Sequence, residues 1–358
     1  MQLYFAPLEG IGGYIYRNAQ ADFFPKADKY FSPFISPGEK RCLTPRDRRD
    51  VAPERNERIC LVPQILTNRA ELFIETVREL QAFGYGEVNL NLGCPSRTVV
   101  TKGRGAGFLG RPEELERFLD EIFANCEVRI SVKTRLGMEN PEEFVRLLEI
   151  FNRYPMEELI IHPRVQTDYY KNVPNREMFS RALSRAYMPV VYNGDIFSPS
   201  AFTEFHDEFP DVDAVMMGRG VLADPALFGE VRARWNQRLQ EKERTALTQS
   251  LSDSPEGYCY QNLTVEVTHD SGIQQSEFRL AKGQLLAFHD RLLSDYESVL
   301  FGEKTVLFKM KELWYYMAHG FTNHEKYEKA IRKSKRLTDY RVIVKRIFSE
   351  QELQENDF

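Results

Sequence analysis

EVNLNLGCPSRTVVTKGRGAG, residues 87–107, is the stretch from which the rest of the chain is best read. Val88, Leu90 and Leu92 alternate with Asn89 and Asn91, the period of a short buried strand. The strand stops at Gly93-Cys94-Pro95, because glycine permits a turn and proline has no N–H for a ladder. A carboxamide (Asn91) and a thiol (Cys94) are thereby delivered to the mouth of a sheet. The loop that follows carries Lys102, Gly103, Arg104, Gly105 and Gly107, a composition that can hug an anionic ligand with backbone N–H groups and cations. The competing reading is a buried structural cysteine followed by a surface loop. The neighbouring segments decide between the two.

Upstream, Gln2–Ala6 is an apolar run that breaks at Pro7-Leu8-Glu9-Gly10, Lys29–Phe34 ends at Ser36-Pro37-Gly38, and Ile59–Gln64 precedes a helical pattern over Arg69–Phe83. Downstream, a helix over Glu113–Phe123 leads to a strand at Arg129–Thr134, a helix at Pro141–Tyr154, and a strand at Glu158–Ile161 that runs into His162-Pro163-Arg164. Pro189–Tyr192 ends at Asn193-Gly194-Asp195, a helix covers Ser198–Phe209, and Ala214–Met217 ends at Gly218-Arg219-Gly220. Eight strand–helix alternations, recurring at about 30 residues, predict an α/β fold of the (β/α)8 TIM-barrel class. In such barrels reactive groups sit at the C-terminal strand ends, which here hold Gln64, Asn91 with Cys94, Lys133, His162, Asn193 and Arg219. One polar residue after a strand is an ordinary turn former, whereas polar groups at six strand ends on one face point to a site.

The 358 residues suffice for such a barrel plus an appendage, and the formal net charge of -5 leaves a nucleic-acid partner open, since local clustering of cations matters more. Five cysteines without ligand spacing suggest neither a disulfide framework nor a metal site. No leader or membrane span is read, so a cytoplasmic monomer is expected. The expected division is a barrel over 1–240, an irregular polar linker or insertion over 241–276, and a helical domain over 277–350, helical through Arg244 and irregular from Thr245. The last helices are rich in cations, including Lys333, Lys335 and Arg336. Trp314, Tyr315 and Tyr316, at helical spacing with Met310 and Met317, are read as core.

Together these residues resemble the tRNA-dihydrouridine synthase family, through APLEG at 6–10, PQI at 63–65, NLNLGCPS at 89–96 with KGRGAG, VKTRLG at 132–137, IHPR at 161–164, NGDI at 193–196 and GRG at 218–220. KELWYYMAHGF at 311–321 is similar to that family's helical domain. The resemblance implies an FMN-binding barrel with a helical domain that grips tRNA, and reduction of a uridine C5–C6 bond with electrons from NADPH. It implies that Pro7, Gln64, Lys133, His162, Asn193, Asp195, Gly218 and Arg219 hold the flavin. Cys94 would be the general acid, and Asn91, Lys102, Arg104, Arg135, Arg164, Lys333, Lys335 and Arg336 would meet the RNA. The chain departs from the family in having His162-Pro163-Arg164 where His-Gly-Arg is usual, which leaves the histidine and arginine in place. Two other readings compete: an FMN barrel acting on a small dihydropyrimidine-like molecule, which would not need the basic helices, and a non-catalytic RNA-binding relative.

Overall fold

The computed structural model describes residues 1–252 and 280–354. Nine short strands run parallel: β1 (Gln2–Phe5), β2 (Lys29–Phe31), β3 (Leu61–Val62), β4 (Gln64–Ile65), β5 (Glu87–Leu92), β6 (Arg129–Arg135), β7 (Leu159–His162), β8 (Val190–Tyr192) and β9 (Ala214–Met217). Their lateral order is β3-β2-β1-β9-β8-β7-β6-β5-β4, and the two ends of this series are joined in sequence by Pro63 alone. Proline has no N–H for the ladder, so one strand is split into the halves β3 and β4. Ile35 N donates to Gln64 O and Leu66 N to Ile35 O, both at 2.8 Å, which carries pairing across the gap. With the halves counted as one strand, the expected eight-stranded α/β barrel stands.

Strand periodicity sorts the side chains into two layers. Leu3, Phe5, Val88, Leu90, Leu92, Ile130, Val132, Val215 and Met217 pack outward beneath the helices, whereas Tyr4, Ala6, Phe31, Val62, Ile160, Val191, Ala214 and Met216 form a separate cluster. The same alternation puts Asn89 and Asn91 on the face opposite the outward Val88, Leu90 and Leu92, and Lys133 opposite Val132. Register then sets Gln64 beside Asn89, Asn91 beside Lys133, and Arg135 beside His162. The chain's polar strand residues therefore stack toward the C-terminal ends of neighbouring strands.

The helix after β9, Leu227–Ser252, continues through the expected boundary at 240 and past Arg244, correcting the expectation of irregular chain from Thr245. Glu241-Lys242-Glu243-Arg244 and Ala246-Leu247 are strong helix formers, and their propensity prevails over the polar composition. Residues 253–276, the rest of the expected linker, lie outside the described residues, as do 277–279 at the start of the expected helical domain.

Four helices follow: Lys282–Val299, Glu303–Met317, His324–Lys333 and Leu337–Glu350. Phe288 meets Tyr16, Phe23 and Phe24 of the barrel with ring centroids 5.7, 6.2 and 5.3 Å apart, so the first helix docks through aromatic edges. Lys309 Nζ donates to Gly10 O at 2.9 Å and joins the second helix to the loop after β1. Trp314 is buried, as expected, and donates its indole N–H to Tyr340 Oη at 2.6 Å, whereas Tyr315, also expected in the core, is corrected to an exposed position because it lies off the buried Val306–Met310–Leu313–Met317 face, and Tyr316 is half-buried. Among the described residues no helix is long and apolar enough to cross a membrane.

Candidate active site at the strand ends

The site is built from a row of carboxamides. Asn89 Nδ2 donates to Ser131 Oγ at 2.9 Å, Gln64 Nε2 to Asn89 Oδ1 at 2.7 Å, and Asn91 Nδ2 to Gln64 Oε1 at 2.7 Å. Asn91 Oδ1 then accepts from the backbone N–H of Gly93 (3.0 Å) and of Cys94 (2.9 Å). A chain of hydrogen bonds running from inside the barrel thus fixes the turn on which Cys94 sits. Gln64 and Asn91, expected on the flavin and the substrate, use their carboxamides for this purpose, and Gln64 is fully buried.

The loop after Cys94 closes back on it. Ala106 N donates to Cys94 O at 3.1 Å, and Gly105, at φ +55°, would bring a Cβ to 2.9 Å of that carbonyl. Only glycine allows this approach. Lys102 is exposed, while Arg104 is half-buried and reaches Ser36 Oγ at 3.2 Å and Asn68 Oδ1 at 3.4 Å, two neutral partners. The Cys94 thiol is half-buried, and burial pushes its pKa up, so it keeps its proton at neutral pH.

A cleft beside this turn is lined by Ala6, Pro7, Leu8, Lys133, His162, Tyr170, Asn193, Asp195, Gly218 and Arg219. Lys133 makes no ion pair among the described residues, and burial, helped by the charge of Arg135, pushes its pKa down to about 7. His162 is held well below its usual pKa by burial and then by Arg135, Lys133, Arg164 and Arg219, so its ring is neutral. Arg164 Nη1 lies 2.9 Å from His162 Nε2, and since a guanidinium only donates, Nε2 accepts and the ring proton sits on Nδ1. Asn193 donates to Met216 O at 2.8 Å. Gly218 stands where a Cβ would come 3.2 Å from that of Ala6, so the wall there is bare backbone.

Asp195 is the hinge of the cationic side. It accepts from Arg164 through both carboxylate oxygens and from Arg219 Nη2 at 2.5 Å. Arg164, only 2% exposed, also gives Nε to Asn172 O. Arg135, 1% exposed, donates to Gly93 O (3.0 Å), Val165 O (2.9 Å) and Tyr169 O (2.7 Å). Both arginines were expected to meet substrate, and each also has these internal partners. Their guanidiniums are used internally, tying the Cys94 turn and Asp195 to the loop after β7.

That loop carries a residue the sequence reading missed. Tyr169 holds φ 52°, rare for a bulky side chain, with its carbonyl pinned by Arg135, and the next residue, Tyr170, projects over the cleft. Arg219 Cζ lies 4.6 Å and Arg135 Cζ 5.3 Å from the Tyr170 ring centroid. Two adjacent aromatics in a polar loop after a barrel strand were the available signal. Lys333 and Lys335 are exposed, and Arg336 pairs with Asp339 at 3.5 Å. A roomier cleft of about 610 Å³ lies between helices Lys282–Val299 and Leu337–Glu350, yet the strand ends hold the convergent thiol, ammonium and imidazole, and chemistry outranks volume in locating the site.

A sequence profile described as "Dihydrouridine synthase (Dus)" matches residues 5–280. A Synechocystis protein named "Probable tRNA-dihydrouridine synthase 1" is 27% identical over 63% of this chain and 63% of its own length. The "tRNA-dihydrouridine synthase B" of Shewanella oneidensis is 28% identical over 64% and 71%. The "tRNA-dihydrouridine(16) synthase" of Ralstonia nicotianae is 25% identical over 54% and 60%. The chain thus spans under two thirds of the length of two of these relatives. Among solved structures, a 2-naphthoyl-CoA reductase superposes with a TM-score of 0.52 at 11% identity, over 64% of this chain and 49% of that one. Histamine dehydrogenase from Rhizobium sp. 4-9 gives 0.50 at 11%, over 64% and 45%. Both are likenesses of fold.

Proposed function

We infer that this chain, which belongs to the dihydrouridine synthase family, is a flavin-dependent oxidoreductase that reduces the C5–C6 bond of a uridine in tRNA, with NADPH as electron donor. The observation that carries the reading is the pairing, at one barrel mouth, of a thiol kept protonated by burial with an ammonium that has no carboxylate partner among the described residues. The relatives' names supply the substrate class.

The cleft fits FMN by its donors. Lys133, His162, Gly218 and Arg219 line it, a set suited to an electron-rich ring with carbonyl oxygens and to a phosphate. Bound FMN supplies hydride chemistry. Lys133 is charged or neutral near pH 7 according to what it meets, and an anion raises its proton affinity. Cys94 holds the proton that uridine C5 requires, and the carboxamide row fixes the turn beneath it. Pro7, Asn193, Asp195, Gly218 and Arg219 shape the flavin cleft, with Asp195 acting through the two arginines.

Lys102, Arg104, Lys333, Lys335 and Arg336 would take RNA phosphates, and the part from 277 to 350 would be the RNA-gripping domain of a cytoplasmic protein with its barrel over 1–240. The target base must leave its stack to reach the strand ends. Purified protein should be yellow and should oxidise NADPH, with the reoxidation of its flavin accelerated by tRNA lacking dihydrouridine. Acceleration by free uracil but not by tRNA would favour the small-molecule reading.

A further inference from the structure

Helix Glu303–Met317 buries Val306, Leu307, Met310, Leu313, Trp314 and Met317. Its opposite stripe reads Lys304, Phe308, Lys311, Tyr315, at spacings of three and four that stack residues on one face. Phe308 is 61% exposed and Tyr315 52%, and the turn before the helix adds Phe301, fully exposed. One exposed aromatic needs no explanation. Three spaced by seven residues, with lysines between, on a helix whose core face is already complete, are not accounted for by folding.

The stripe is connected at its end and along its flank. The Tyr315 ring meets Tyr316 edge-on at 5.0 Å, and on the neighbouring turn Lys309 Nζ donates to Gly10 O at 2.9 Å, which sets this helix beside the loop at the C-terminal end of β1. Lys311 Nζ donates to Arg332 O at 3.0 Å and Ser334 O at 2.5 Å. These carbonyls close helix His324–Lys333 and set the turn that exposes Lys333 and Lys335. The aromatic stripe and the basic turn are thus one surface.

We propose that Phe301, Phe308 and Tyr315 form a stacking platform for unpaired RNA bases leading to the barrel mouth, with the phosphates running along the adjacent lysines; this rests on the reading of the chain as acting on RNA. Every base has a π-face that stacks on Phe or Tyr whatever its identity, and interleaved cations hold the backbone. Paired RNA offers phosphates without free faces, for which lysines alone would suffice.

The test is a fluorescence-anisotropy titration of the full chain with labelled oligo-uridylate and with tRNA, at several salt concentrations. It compares the parent, Phe308→Ala/Tyr315→Ala and Phe308→Tyr/Tyr315→Phe. The alanine pair should weaken both RNAs by about tenfold or more. Because no cation is removed, the slope of affinity against salt should stay that of the parent, and the conservative pair should bind like the parent. Equal binding by the alanine pair overturns the platform while leaving the RNA reading intact. Failure of the parent to bind either RNA overturns both. Parent self-association abolished by the alanine pair, seen by sedimentation, would assign the stripe to contacts between copies and overturn the platform.

Discussion

The two ends of the barrel treat charge in opposite ways. At the N-terminal end, Lys29 Nζ reaches Glu87 at 3.0 Å and Glu158 at 2.9 Å, Arg129 bridges Glu87 (3.4 Å) and Glu157 (2.7 Å), and Tyr4 Oη donates to Glu158 at 2.6 Å. Each cation there has a carboxylate. At the C-terminal end two arginines share Asp195, Lys133 has no counterion among the described residues, and Arg104 rests on neutral oxygens. Burying an uncompensated charge destabilises a fold, and on the proposed function a ligand completes the balance at the open end. The closed end marks where the chain holds itself together.

Cys94→Ala should retain flavin and tRNA binding and lose about 100-fold or more of the rate of uridine reduction, measured in single turnover. Lys29→Met, at the closed end, leaves Glu87 and Glu158 buried without their shared cation; urea denaturation should show a loss of about 3–5 kcal/mol with flavin affinity unchanged.

Lys133→Met, at the open end, should do the reverse, stabilising the flavin-free chain by about 2 kcal/mol while weakening flavin binding. The sign follows from the lowered pKa. Below about pH 7 the lysine is charged in both folded and unfolded chains and its burial cost is felt in full. The cost fades as pH rises from there toward the unfolded value, so the variant's advantage should be greatest at or below pH 7 and shrink above it. Replacing Lys333, Lys335 and Arg336 by glutamine should have the smallest effect, a loss of tRNA affinity of about tenfold with a shallower salt slope.

Strand spacing and the polar residues at strand ends were legible in the sequence because a buried parallel strand needs an apolar run and a turn former, and both are local signals. The alternation in β5 even placed Asn89 and Asn91 on one face. What it could not convey is that Gln64 and Asn91 would satisfy each other, since that depends on the lateral register of β4 and β5. The internal partners of Arg135 and Arg164 were hidden for the same reason: a cation at a strand end looks identical whether it faces solvent or the carbonyls of a neighbouring loop. Tyr170 owes its place to a backbone turn at Tyr169 held by Arg135, a contact across 34 residues. The end of helix Leu227–Ser252 escaped because its polar tail keeps helix propensity without an apolar stripe.

The most direct measurement is to incubate the parent and the Cys94→Ala variant with NADPH and tRNA lacking dihydrouridine, then map product by mass spectrometry of nuclease fragments. Dihydrouridine at a defined position is expected with the parent and almost none with the variant, although both bind the tRNA. Absence of product with a yellow, NADPH-oxidising parent, or equal product from the two proteins, would contradict the proposed function.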